Sequence, residues 1–177
     1  TPENIPDEPL LFDTNYAPEP KSKKETKKET KQKNTVVEGR VWFIEKDNID
    51  TDMIFHNRYL SITDPEEMGQ YAFDNLEGYE KFASQSEPGD LVVTGKNFGS
   101  GSSLQQAVDC FKVLGIQAII AESFGAIYER NAINAAMPIL AYDDISALEL
   151  KTGDRIKVNF ETGQMENLTK NKQVQIK

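Results

Sequence analysis

Residues 94–109 read Thr-Gly-Lys-Asn-Phe-Gly-Ser-Gly-Ser-Ser-Leu-Gln-Gln-Ala-Val-Asp, and how this stretch is entered and left decides the fold class. Val92 and Val93, just before it, end a strand. Gly95, Gly99 and Gly101 then form a tight loop, after which Leu104, Ala107, Val108 and Phe111 recur at helical spacing until Gly115. A strand, a glycine-rich loop and a helix N-terminus in that order place Ser102 and Ser103 where free backbone N–H groups and the helix dipole favour an anion, such as a carboxylate or a phosphate. The serines also fit a plainer role. Ser103 with Gln106, and Ser102 with Gln105, match the Ser-x-x-Gln capping box, in which a serine does no more than start a helix. A phosphate-cradling P-loop is excluded, because that motif ends in Lys and Ser or Thr, and Leu104 follows the serines here.

Outward from this unit, apolar runs alternate with helical patterns. Val36–Ile44 reads as a first strand, 91–94 as the strand entering the loop, 117–121 and 139–142 as further strands. Between them, Asp64-Pro65-Glu66-Glu67 is a helix start with Pro at the first position, predicting a helix over 64–75 and another over 79–85. Ser123 predicts a cap for a helix from Phe124 to about Ala136. Strands alternating with helices indicate a parallel α/β core. After residue 152 the pattern becomes alternating, with turns at Gly153-Asp154 and Thr162-Gly163, which predicts a closing β-hairpin or small β-layer.

The first 34 residues differ in kind. Residues 1–20 hold five acids, no basic residue, and prolines at 2, 6, 9, 18 and 20; residues 21–33 hold seven lysines, two glutamates and nothing apolar. Such a stretch buries too little surface to offset its ordering entropy, so 1–34 is expected to be a flexible tail or an interdomain linker, and 35–177 the folded domain. The chain begins at Thr1, which fits a processed product or the C-terminal part of a longer polypeptide.

A formal net charge of −9 argues against a nucleic-acid binder. No apolar run reaches the length of a membrane span, so a cytoplasmic protein is the expectation. Cys110 is the only cysteine and His56 the only histidine, which leaves no internal disulfide, no thiolate cage and no metal site. The polar turn Asp47-Asn48-Ile49-Asp50-Thr51-Asp52 lacks the later glycine and glutamate of a calcium-binding EF-hand loop.

Several stretches together carry a family resemblance: Asp47–Asp52, Arg58-Tyr59-Leu60, Gly89-Asp90, Asn97-Phe-Gly-x-Gly-Ser-Ser103, Gly115-Ile116, Ser123-Phe124, Asn131–Asn134 and Pro138-Ile139, in that order. Over residues 36–142 the chain resembles the swivelling domain of the aconitase superfamily, and looks most like the small subunits of 3-isopropylmalate dehydratase and homoaconitase-type enzymes. The resemblance implies a three-layer β/β/α domain that closes over a separate iron–sulfur part, either a large subunit or preceding domains of the same polypeptide. It implies reversible dehydration and rehydration of a 2-hydroxy di- or tricarboxylate, with a [4Fe–4S] cluster on that partner acting as a Lewis acid on the leaving hydroxyl. Within this chain it implies Ser102, as alkoxide, for the catalytic base. Substrate binding would fall to Ser103, to Gly101, Gly99 and Asn97 of the same loop, and to Arg58. The chain departs from the family where Leu104 stands in place of the usual Arg after the serine pair, where Ser100 replaces a Cys, and at Ser61-Ile62-Thr63, where relatives carry an Arg. Leu104 faces either the loop mouth or the core, and the stripe it shares with Ala107, Val108 and Phe111 favours the core. An aconitase or homoaconitase domain, or a non-catalytic binding module with the same fold, are the alternatives.

Overall fold

The computed structural model describes residues 35–176; the expected tail, 1–34, lies outside them. Strand β1 (Val36–Ile44) organises the sheet because it serves two partners along its length. Val36–Arg40 runs antiparallel to β5 (Arg155–Asn159), and Val41–Ile44 runs parallel to β2 (Leu91–Thr94). Beyond β2 come β3 (Ala118–Ala121) and β4 (Ile139–Ala141), both parallel; beyond β5 come β6 (Gln164–Asn167) and β7 (Lys172–Gln175), both antiparallel. The sheet thus has seven strands in the order β4-β3-β2-β1-β5-β6-β7.

The two halves pack on each other. On one face of the parallel half Leu91, Val93, Ala118 and Ile120 meet Val37, Val41, Ile156, Val158 and Met165 in one apolar cluster. On the other face Val92, Ile119 and Ala121 join the helices in a second cluster that includes Phe55, Phe73, Phe98, Phe111 and Tyr128. The result is the expected three-layer β/β/α arrangement. It explains why β2 and β3 are buried at every position whereas β5 alternates exposed and buried residues. The point where β1 changes partner is tightly built. A Cβ on Gly39 would lie 2.1 Å from the Gly89 carbonyl oxygen, so only glycine fits. Next to it, buried Asp90 accepts from Arg40 Nη2 (2.8 Å), Trp42 Nε1 (2.9 Å) and the Glu87 N–H (2.9 Å).

Several expected elements are redrawn. The helix over 64–75 is only α2 (Pro65–Met68), capped by Asp64, followed by a 3₁₀ turn over Gly69–Tyr71. Phe73 then takes a φ of 59° and donates its N–H to the Ile54 carbonyl at 2.9 Å. Leaving the helix puts its ring among Phe82 (4.9 Å) and Phe111 (5.1 Å), and this packing overrides local helix propensity. The expected helix over 79–85 shortens to α3 (Phe82–Gln85). Thr51–Ile54 forms one further helical turn, α1, inside the polar turn. The closing hairpin is a three-stranded meander, because Leu168–Asn171 makes a second turn in which Asn171 takes a φ of 55°.

Candidate active site

The glycine-rich loop is clamped on three sides. From the polar turn, the Ile49 carbonyl accepts from Gly99 N–H (2.7 Å), Thr51 N–H donates to the Ser100 carbonyl (2.9 Å), and Asp47 Oδ1 accepts from Lys96 N–H (2.7 Å). From the chain after β3, the Ser123 carbonyl accepts from Phe98 N–H (2.9 Å) and Ser123 Oγ from Asn97 N–H (2.8 Å). Ser123 is therefore a loop brace, not a helix cap; helix α5 (Ala126–Asn134) begins after Gly125. From α5, the ring of Tyr128 lies against Gly99, where a Cβ would come within 2.2 Å of Cγ at a φ of +78°. Tyr128 is fixed in turn by its hydroxyl, which donates to the Ala107 carbonyl at 2.9 Å.

This bracing lifts the serines out of the protein. Ser102 and Ser103 are both exposed, and helix α4 (Gln106–Val113) starts three residues after them. The position before α4 is Gln105, which makes no side-chain cap, so neither capping box forms. The physical reason is Leu104. At 8% exposure it drops into the helix-side core, and its carbonyl accepts from Ala107 N–H at 3.1 Å, so the chain turns once before the helix proper begins. Among the described residues, the backbone N–H groups from Ser102 to Gln106 have no backbone acceptor. A run of free donors beside two hydroxyls can hold an oxyanion or a carboxylate.

The expected site residues divide into two groups. Ser102, Ser103, Gly101, Gly99 and Asn97 share the loop. Gly101 needs its φ of +104°, and Asn97 adopts a φ of 55° with its side-chain amide donating to Asn48 Oδ1 at 3.1 Å, so its side chain is taken up by the scaffold. Arg58 lies elsewhere, on a 3₁₀ turn over Asn57–Tyr59. Its guanidinium lies 5.0 Å from the centre of the Tyr59 ring and 3.4 Å from Asp74 Oδ2, and it makes no hydrogen bond or ion pair to the serine loop among the described residues. Asp74 also accepts from the Tyr59 hydroxyl at 2.5 Å, which holds that phenol above its usual range. Two residues were quoted in the resemblance without a role. Asn131 of α5 donates from Nδ2 to Ser103 Oγ at 3.3 Å, and Thr51 packs beside Gly101. Sequence spacing gives no sign of either contact, since each partner is many positions away.

The carboxylates of the polar turn are already occupied by backbone donors: Asp47 by Lys96, Asp50 by Met53 and Asp52 by Asn57. Cys110 is fully buried, its thiol pushed well up by burial, and among the described residues no three His, Cys, Asp or Glu side chains are grouped to hold a metal ion. These residues do not fit an iron–sulfur cluster, so a cluster in this system would have to be carried by another chain or segment.

Comparison with known proteins accounts for this arrangement. The family described as Aconitase C-terminal domain matches residues 12–144. The isopropylmalate/citramalate isomerase small subunit of Methanocaldococcus jannaschii is 43% identical over 135 residues, 76% of this chain and 78% of that protein. The methanogen homoaconitase small subunit of Methanothermobacter thermautotrophicus is 39% identical over 142 residues, 80% of this chain and 79% of its own. The crystal structure of 3-isopropylmalate dehydratase from Methanocaldococcus jannaschii superposes with a TM-score of 0.73 at 34% identity, covering 80% of this chain and 81% of that one. By the family match, these identities and the shared fold, the chain belongs to the aconitase C-terminal domain family.

Proposed function

We propose that this chain is the swivelling small subunit, or the corresponding C-terminal domain, of a 3-isopropylmalate dehydratase-type hydro-lyase. It would isomerise a 2-hydroxy di- or tricarboxylate by dehydration and rehydration, together with a cytoplasmic iron–sulfur large subunit or preceding domains. The observation that carries the reading is the exposed Ser102–Ser103 pair on a braced loop, in a chain whose relatives at about 40% identity are named as small subunits of such enzymes.

In this reading Ser102 takes the proton from the carbon next to the one bearing the hydroxyl. The C–H electron pair becomes the C=C bond while hydroxide leaves with the C–O pair, and rehydration reverses these steps with the positions exchanged. A serine hydroxyl is too weak a base in water. The free N–H groups around Ser102 supply fixed donors for its alkoxide without reorganisation. Ser103, oriented by Asn131, donates to a substrate carboxylate. Arg58 is the cation of the 58–60 turn that a closing partner could bring to a second carboxylate. The cluster chemistry is left to the partner, since the single cysteine of this chain cannot hold a cluster.

A homoaconitase-type substrate is the second reading, favoured by the 39% identity to a homoaconitase small subunit. One experiment separates them: the chain assembled with its native partner and assayed against 3-isopropylmalate, citramalate, citrate and homocitrate. Turnover of 3-isopropylmalate supports the first reading, turnover confined to the tricarboxylates the second. No turnover of any would favour a non-catalytic module.

A further inference from the structure

Thr51 is out of keeping with its neighbours. It opens α1 at 4% exposure, beside Ile49, Ile54 and Phe55, each almost wholly buried. Its backbone is fully engaged: the N–H donates to the Ser100 carbonyl (2.9 Å), and the carbonyl accepts from Phe55 N–H (2.9 Å). Its hydroxyl has no hydrogen-bond partner among the described residues. Buried polar side chains nearly always find one, and valine has almost the same shape without the desolvation cost. The oxygen also has a definite direction. Oγ1 lies 3.3 Å from where a Cβ on Gly101 would be, so it stands on the side of the residue just before Ser102. No wholly enclosed side-chain oxygen or nitrogen lacks a partner among the described residues, so Oγ1 keeps an opening. Its position by Gly101 sets this hydroxyl next to the serine loop.

We propose that Thr51 is a substrate-binding residue, whose hydroxyl donates a hydrogen bond to a carboxylate oxygen held beside Ser102. The inference rests on the hydroxy-acid reading above and deepens it. Leu104 is buried and Lys96 of the loop stands by Glu122 (3.8 Å), so beside the serines a carboxylate meets neutral donors: the N–H groups from Ser102 onward and the Ser103 hydroxyl. A hydroxyl has one proton to donate, and Thr51 gives it to no acceptor among the described residues.

The test compares Thr51→Val and Thr51→Ser in the enzyme assembled with its native partner, using the hydroxy acid that wild type turns over. Thr51→Val keeps the shape and removes the donor. Its KM is expected to rise about tenfold, the scale of one hydrogen bond to a charged group, with kcat changed less and assembly by gel filtration unaltered. Thr51→Ser keeps the hydroxyl and should recover most of that loss. A Thr51→Val enzyme with wild-type KM and kcat overturns the proposal. So does a Thr51→Ser enzyme as impaired as Thr51→Val, because the methyl group would then be what matters. If Thr51→Val does not fold, Thr51→Ala removes the same hydroxyl and is held to the same KM criterion. A wild-type complex inactive on every acid in the panel would instead remove the reading on which this proposal stands, and the proposal with it.

Discussion

At the residue scale the serine pair and Leu104 part company although they are adjacent. Ser102 is exposed on the loop, with no cap to form, so its substitution should leave the fold alone. Ser102→Ala is expected to lower kcat of the assembled enzyme by on the order of 10² to 10⁴, the usual loss for a general base, with an unchanged thermal melt. Near-normal turnover would reduce Ser102 to a loop residue. Ser103→Ala should raise KM more than it lowers kcat if, as proposed, Ser103 binds a carboxylate with Asn131 donating to its Oγ. Leu104 behaves as core. At 8% exposure it packs with Ala107, Val108 and Phe111, so Leu104→Arg does not restore at no cost the arginine that the family resemblance puts there. It forces a charge into an apolar site, and a loss of about 3 kcal/mol in urea-unfolding stability is expected. A variant as stable as wild type would show that the side chain turns outward to the mouth. Here the sequence was informative in one direction only. The helical stripe pointed Leu104 inward, but that stripe also led to a helix start at the serines, which Leu104's own burial displaces to Gln106.

Among the elements, legibility followed how local the cause was. β2, β3 and β4 are short, almost wholly apolar runs between turn residues, β1 is framed by Val36-Val37 and Val41–Ile44, and the observed bounds of all four fall within a residue of expectation. The segment after Asp64 was misread because its helix is ended by a distant event: Phe73 joins the ring cluster of Phe82 and Phe111, and its N–H goes to Ile54. The expected hairpin or small β-layer proves to be the layer, and β7 did not stand out in it because Lys172–Gln175 is an edge strand whose only apolar residue, Val174, is packed against the core. The site loop was legible as a loop, since its glycines announce it. Its clamps were not, because they come from turns and a helix far away in sequence. Those clamps make a specific demand at Gly99, where a methyl group would come within 2.2 Å of the Tyr128 ring at a φ of +78°. Neither partner yields easily: Tyr128 is buried and held by Ala107. Gly99→Ala should therefore cost roughly 2 to 4 kcal/mol of stability and most of the activity, by moving the serines. Gly153→Ala is the control. It shares a positive φ of 98° but has nothing within 4 Å of the added carbon, so it should show only the smaller backbone cost and keep kcat. Equal losses in the two variants would mean that backbone strain, not the Tyr128 contact, sets the effect.

At the largest scale, the domain formed by the described residues is held together where its two half-sheets meet, and the antiparallel half adds an acid-sensitive fastening. Asp154, 8% exposed, stands at the turn into β5, and its carbonyl accepts from Val41 N–H (2.8 Å) at the point where β1 changes partner. Its carboxylate Oδ2 accepts from Asn167 Nδ2 (3.0 Å) and Lys151 N–H (3.0 Å), with Lys170 Nζ at 3.6 Å. Asn167, wholly buried, passes the tie to the Leu148 carbonyl at 3.0 Å. Burial acts to raise the Asp154 carboxyl, but the Asn167 and Lys151 hydrogen bonds and the Lys170 charge outweigh it, and the net shift is downward. A carboxyl depressed in the folded state contributes stability that is fully present above its unfolded value, about pH 4, and is lost as the pH falls through its lower folded value. Asp154→Asn removes this titration but keeps the size, so the stability gap between wild type and variant carries the signature of this one group. The gap in urea midpoint should be constant above about pH 5 and should narrow steadily below about pH 4, while losses from other carboxylates cancel between the two proteins. A gap that stays the same down to the acid transition would mean that the Asp154 carboxyl titrates alike in the folded and unfolded chain, and that the meander is fastened by packing and neutral hydrogen bonds alone.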